Sequence, residues 1–104
     1  MEDKPFQLNI NLLEPKIREL LQKFNLKSEI KLIKANSNST SSLSANFESK
    51  EILGNVSVWA YGGCCDIDYL YLKDEKGKFL HGEFNDEEKL VEFVENSLRL
   101  ILNH

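Results

Sequence analysis

A chain of 104 residues with a formal charge of −4 and a pI near 5.2 suits one small acidic domain over residues 1–104. The negative charge argues against nucleic acid and against membranes as partners, because phosphates and anionic lipids select basic surfaces. No apolar run approaches the roughly 18 residues that a membrane helix needs. The acidic start MEDKPFQLNI does not have the pattern of a signal peptide. We therefore expect a cytoplasmic protein.

The first predicted element is an amphipathic helix over about residues 11–25. Asn11 followed by Glu14 resembles a capping pair at its start. Proline is tolerated in the first turn of a helix but not deeper, so Pro15 is expected in the first turn. The apolar residues recur at steps of three and four and form one stripe: Ile10, Leu13, Ile17, Leu20, Leu21 and Phe24.

Residues 28–83 have the alternating pattern of strands. The predicted strands cover residues 28–35, 43–49, 52–61, 64–73 and 78–83. The polar segment NSNSTSS at 36–42 connects the first two, and DEKGK at 74–78 is a turn. From Asn85 the period changes back to that of a helix, with Glu88 completing a start signal. The predicted fold is α+β: an antiparallel β-meander of four to five strands, with an N-terminal and a C-terminal helix packed on one face.

The most unusual stretch is WAYGGCCDIDYLYL, residues 59–72. Gly62-Gly63 predicts a two-residue turn because glycine accepts positive φ at both central positions. In that register Tyr61 lies opposite Cys64, and Trp59 lies opposite Asp66. One face is then apolar, and the other carries Ser57, Trp59, Tyr61, Cys64, Asp66 and Asp68. Farther from the turn, Leu53, Leu70 and Leu72 also fall on this second face and make that end apolar, which would suit cover by a loop or terminus.

An exposed tryptophan and tyrosine beside two carboxylates are typical of a protein-binding patch. We predict that Trp59 and Tyr61 supply contact area and that Asp66 and Asp68, together with Glu83, bind lysines or arginines of a partner. The alternative is that Trp59 only covers the outer face of the sheet while the aspartates are solvated.

Other site chemistries have less support. Adjacent Cys64 and Cys65 point to opposite faces of a strand, and no zinc, metalloprotease or calcium-loop spacing occurs. A cysteine nucleophile needs an activating histidine or helix N-terminus. His81 approaches the aspartates only if the DEKGK turn sets a favourable register. We predict no metal, no cofactor and no enzyme activity. An enzyme would require His81, a cysteine and the aspartates to converge in a pocket.

The second half of the chain resembles the TriTu family of bacterial polymorphic-toxin immunity proteins. The resemblance rests on Trp59, Gly62, a cysteine and an aspartate, and continues through 74–77 (DEKG), 81–84 (HGEF) and 86–90 (DEEKL). It spans about residues 52 to 102. The chain departs from the family in its double cysteine and in a spacing from Trp59 to Asp66 that is one residue longer.

This resemblance implies a protein that is encoded beside a toxin, binds the toxin domain and protects the producing cell. We therefore expect an immunity protein for a basic cognate toxin. A small acidic secretion chaperone or adaptor, which binds an extended client segment, is the alternative. The oligomeric state and the role of Cys64-Cys65 stay open.

Overall fold

In the computed structural model, the described residues are 7–33 and 41–103. They form the predicted α+β fold, a five-stranded antiparallel sheet with a helix before it and a helix after it. The elements are α1 (Ile10–Lys23), β1 (Lys27–Ile33), β2 (Ser42–Glu48), β3 (Ile52–Trp59), β4 (Cys64–Tyr71), β5 (Lys76–Glu83) and α2 (Glu87–Leu102). Residues 34–40, which include most of the predicted NSNSTSS connector, lie outside the described residues.

Helix α1 begins at Ile10, directly after its N-terminal cap residue, Asn9. The Asn9 Oδ1 accepts from the backbone N–H of Leu12 at 3.2 Å, so the cap is Asn9 and not Asn11. Pro15 lies inside the helix beyond its first turn, which contradicts our expectation. Because proline has no N–H, one helical hydrogen bond is missing there. The helix forms because tertiary burial of its stripe outweighs this loss: Ile10, Leu13, Ile17, Leu20 and Leu21 are buried.

The sheet is a meander with strand order β1-β2-β3-β4-β5, so every strand pairs with its neighbour in sequence. Alternate residues of the central strands are buried beneath the two helices: Leu43, Ala45, Phe47, Val56, Val58, Cys65, Ile67 and Tyr69. The helices also contact each other. The backbone N–H of Asn9 donates to Glu87 Oε2 at 2.8 Å, and Lys23 Nζ donates to Glu95 Oε2 at 2.9 Å.

The pairing of β3 with β4 differs from the predicted register by two residues. Trp59 lies opposite Cys64 and Ser57 opposite Asp66, whereas the two-residue turn had placed Trp59 opposite Asp66. The reason is that residues 60 and 61 keep other partners. Ala60 N–H donates to the Ser41 carbonyl at 2.9 Å, the Ala60 carbonyl accepts from Leu8 N–H at 2.8 Å, and Tyr61 bridges to Gln7. A shift of two leaves every side chain on its predicted face.

The connection between β3 and β4 therefore spans residues 60–63. Gly62 and Gly63 have φ of 85° and 68°, as the turn prediction requires. Gly63 also lies against the backbone after β5: Phe84 N–H donates to the Gly63 carbonyl at 2.8 Å. A Cβ at Gly63 would lie 1.7 Å from the Phe84 carbonyl oxygen, so only glycine fits this position.

Helix α2 begins after Asp86, whose Oδ1 accepts from the backbone N–H of Glu88 at 2.8 Å. The predicted cap, Asn85, was wrong by one residue. Asp86 and the acidic first turn, Glu87 and Glu88, complement the positive end of the helix dipole. Neither α1 nor α2 is long and apolar enough to cross a membrane, and these are the helices of the described residues.

Candidate protein-interaction surface

The helices cover one face of the sheet, and we call the opposite side the open face. Its outward residues form cross-strand rows. One row contains Ser42, Trp59, Cys64 and Glu83, the next contains Ser44, Ser57, Asp66 and His81, and the third contains Asn46, Asn55, Asp68 and Phe79. Aromatic, acidic and amide side chains thus lie side by side on a flat scaffold of strands.

Hydrogen bonds order the centre of the open face. Asn55 Nδ2 donates to Ser44 Oγ at 2.9 Å and to Asn46 Oδ1 at 2.7 Å, and Asn55 Oδ1 accepts from Ser57 Oγ at 2.5 Å. Such a network fixes the rotamers of its members, because each side chain is hydrogen-bonded to a neighbour on the same or the adjacent strand. The centre of the surface is therefore polar and preorganised.

Trp59 lies at the end of β3, beside this network, and is 39% exposed. Its neighbours across the strands are Ser42 on β2 and Cys64 on β4. Tyr61 is 51% exposed but lies beyond the β3–β4 ladder, in the turn. The structure therefore places Trp59 within the rows of the open face and Tyr61 outside them.

The outward residues of β4 and β5 form what we call the acidic half: Cys64, Asp66, Asp68, Leu70, Phe79, His81 and Glu83. Within it, His81 Nδ1 lies 2.5 Å from Asp66 Oδ1, and His81 Nε2 lies 3.3 Å from Glu83 Oε2. A neutral imidazole has one N–H, so only the doubly protonated ring donates to both carboxylates. The hydrogen bonds to Asp66 and then to Glu83 raise the pKa of His81 above its ordinary value, and slight desolvation opposes them.

Asp68 lies in the next row, between Asn55 on β3 and Phe79 on β5. It is exposed, and Phe79 is 58% exposed. The Phe79 ring stacks with the His81 ring at a centroid distance of 6.4 Å. An exposed carboxylate beside an exposed aromatic ring matches the two contacts that an arginine side chain makes in protein interfaces, an ion pair and a stacking contact.

The thiols differ in position and in environment. Cys65 is buried beneath the helices, and burial raises its pKa to about 12. Cys64 is half-buried on the open face, and burial followed by the charges of Glu83 and Asp66 raises its pKa. Both ring nitrogens of His81 face carboxylates, so neither is placed to take a proton from Cys64.

The donors of the acidic half do not converge as metal ligands do. Asp66 and Glu83 lie at opposite nitrogens of the His81 ring, whereas an ion requires its ligands to surround one point. Across residues 7–33 and 41–103, no group of three or more His, Cys, Asp and Glu side chains has a geometry that holds a metal ion.

The end of the open face opposite the 60–63 turn is apolar. Leu53 and Leu70 are cross-strand partners, and Leu53 and Leu72 are each 41% exposed. Within residues 7–33 and 41–103, no loop buries Leu53 and Leu72, and the expected cover is not seen there. A groove of about 740 Å³ runs nearby, lined by Ile52, Tyr71, Leu72, Lys73 and Leu102 among others, and the Tyr71 hydroxyl donates to the Ile101 carbonyl at 2.7 Å.

Of the predicted binding residues, the structure brings Trp59, Asp66, Asp68 and Glu83 onto one surface. The sequence had not identified Phe79 or the amide network of Asn55 as parts of it. The β4–β5 turn sets the register in which His81 lies directly opposite Asp66. Comparisons of the chain with protein-family models, with curated proteins and with solved structures found no match in any of the three.

Proposed function

We propose that the chain is a protein-binding domain that uses its open face to recognise a basic partner, and that it acts as an immunity protein for a cognate toxin domain. The observation that carries the proposal is the open face itself, where uncovered aromatic residues adjoin carboxylates on an ordered sheet. The resemblance of residues 52 to 102 to the TriTu family supports the identity of the partner.

The charge on the open face is unevenly distributed. At its β1 edge, Lys31 Nζ lies 3.6 Å from Glu29 Oε1, so charges of both signs occur together. The acidic half has Asp66, Asp68 and Glu83, and the outward positions of β3, β4 and β5 contain no lysine or arginine. A negative patch of this kind steers and orients a positively charged partner.

The contact area would come mainly from Trp59 and Phe79, which flank the ordered amides. Interface energy concentrates in a few large aromatic or arginine anchors that become desolvated on binding. Because hydrogen bonds already order Ser44, Asn46, Asn55 and Ser57, these four side chains lose little rotamer freedom when a partner docks. Exposed aromatic rings, carboxylates and ordered amides on one surface therefore support its use as a binding site.

The test is co-expression. The toxin domain encoded immediately upstream is produced in a sensitive bacterium with and without this chain, and the two proteins are then co-purified. Rescue with a stable complex is expected. Affinity is next measured for Trp59→Ala and Asp68→Asn, and we expect each change to weaken binding by about 2 kcal/mol, roughly thirtyfold.

Glu48→Gln is the matched control for these variants. Glu48 is an exposed carboxylate at an outward position of β2, opposite Leu53 and separated from the acidic half by strand β3. The Glu48→Gln substitution should leave the affinity for the partner unchanged. Circular dichroism establishes that each variant is folded. Unchanged affinity of folded Trp59→Ala and Asp68→Asn would remove this surface as the binding site.

The chaperone alternative differs in the state of its client. A chaperone binds an extended segment, so the client would become protease-resistant only in the complex and would lack a fold of its own. An immunity partner is a folded domain before binding. Limited proteolysis of the partner alone, and then of the complex, separates the two functions.

A further inference from the structure

We propose that His81 makes the charge of the acidic half, and with it the affinity for a basic partner, depend on pH. When its ring carries the second proton, His81 neutralises carboxylates that would otherwise face the partner. When the ring loses that proton, the surface becomes more negative. The effect of pH on affinity rests on the proposed function. The titration of His81 does not, because it is a property of the free protein.

Among residues 7–33 and 41–103, the surroundings of His81 supply anionic groups but no second cation. From β4, the groups facing it are Asp66, its cross-strand partner, together with Asp68 and Cys64 in the adjoining rows. From its own strand, Glu83 lies 3.3 Å from Nε2. Strand β5 is the edge of the described sheet and α2 lies on the opposite side, so no lysine or arginine of a packed element shares the open face here.

The geometry places a proton donor between two acceptors. Asp66 and Glu83 accept at different ring nitrogens, which requires both nitrogens to be protonated for both hydrogen bonds to form. In this state His81 acts as an internal counterion. It takes the position that a lysine or arginine of a basic partner would take against the same carboxylates.

The sign of the pH dependence follows from this competition. The carboxylates stabilise the charged ring in the free protein, so its pKa is raised above the ordinary value of about 6.5. A bound lysine or arginine repels the ring and competes for Asp66 and Glu83, so the pKa of His81 is lower in the complex. Between the two pKa values, binding releases a proton and affinity rises with pH. One released proton gives at most about a tenfold gain per pH unit.

The first measurement uses the free protein. Ring resonances of His81 are followed by NMR as a function of pH and assigned by their loss in His81→Gln. We expect a midpoint above about 6.5 in the wild type and a lower midpoint in Asp66→Asn, because the stronger of the two hydrogen bonds is removed. A midpoint near the ordinary value in both proteins would overturn the proposal.

The second measurement uses the upstream-encoded toxin domain as the probe. Calorimetry from about pH 6 to about pH 8, in two buffers of different ionisation heat, reports affinity and proton release together. The wild type should bind more tightly as the pH rises and should release protons. His81→Gln should show neither effect, because glutamine does not titrate in this range. His104→Gln, the change of the other histidine, should behave as the wild type.

The outcomes separate the two proposals. A complex whose affinity does not change with pH and which releases no proton overturns the role of His81, while the proposed function stands. A pH dependence that persists unchanged in His81→Gln also overturns the role of His81, because another group then titrates. Absence of any complex overturns the proposed function and the pH-dependent binding with it.

Discussion

Replacing Gly63 with alanine tests whether the 60–63 turn holds β3 and β4 in their observed register. Gly62 and Gly63 both have positive φ, so alanine at either position is strained by about 1–2 kcal/mol. At Gly62 an added Cβ meets nothing within 4 Å. At Gly63 it would lie 1.7 Å from the Phe84 carbonyl oxygen, a backbone atom that cannot rotate away.

To admit the methyl group, the chain must separate Gly63 from Phe84 and lose the hydrogen bond from Phe84 N–H to the Gly63 carbonyl. Such a bond contributes about 0.5–1.5 kcal/mol. We therefore expect Gly62→Ala to lower the free energy of unfolding by about 1–2 kcal/mol and Gly63→Ala by about 1.5–3.5 kcal/mol. The two variants differ by one position only and share the strain of positive φ, so their difference isolates the contact with Phe84.

Urea unfolding provides the assay, followed by far-UV circular dichroism and by the fluorescence of Trp59, the single tryptophan of the chain. With a slope of about 1–3 kcal/mol per M for a small domain, a difference of about 1 kcal/mol separates the two midpoints by roughly 0.3–1 M. Equal midpoints for Gly62→Ala and Gly63→Ala would show that the approach to Phe84 does not constrain position 63.

Three further predictions concern the α2 cap, the thiols and pH. Asp86→Ala removes the observed cap and should lower the free energy of unfolding by about 1 kcal/mol, whereas Asn85→Ala should change it by less than about 0.5 kcal/mol in the same urea assay. Ellman's reagent at about pH 8 should react slowly with a native variant in which Cys64 is the only thiol, because the pKa of Cys64 is raised. A variant in which Cys65 is the only thiol should not react until the protein unfolds. Rapid labelling of native Cys65 would contradict its burial. His81 has a raised pKa in the folded state, so its stabilising contribution is present below about pH 6.5 and disappears as pH rises through that pKa. The difference in unfolding free energy between wild type and His81→Gln should therefore be larger at about pH 6 than at about pH 8.5, and a difference that grows with pH would refute the assignment.

The faces of the strands could be predicted from the sequence because they depend only on whether a position is odd or even along the strand. The register of β3 and β4 depends in addition on where Ala60 and Tyr61 find partners. Those partners, Ser41 and Leu8 for Ala60 and Gln7 for Tyr61, are distant in sequence, so no local pattern around Gly62-Gly63 indicates them. The alternating pattern therefore predicted the correct face for each side chain of β3 and β4 but the wrong cross-strand partners.

The predicted cap residues of the two helices were wrong for a different reason. Capping side chains occur within two residues of one another at both helices, and a local pattern does not distinguish Asn85 from Asp86. In the candidate site, Phe79 was missed because Phe79 and Leu80 are both apolar, so alternation does not decide which of them faces outward. The pairing of Asp66 with His81 depended on the exact length of the β4–β5 turn, which admits more than one register.

The meander order has a consequence for the kinetics of folding. Every strand pairs with the next, and residues 49–51, 60–63 and 72–75 close the loops between β2 and β5, so the sheet forms through local contacts that favour a fast rate. The contacts between the helices, from Asn9 to Glu87 and from Lys23 to Glu95, join the most distant parts of the described chain. Contacts that form late affect the unfolding rate more than the refolding rate. We therefore expect substitutions in the seam between the helices, on the side opposite the open face, to change the unfolding rate and leave recognition unaltered.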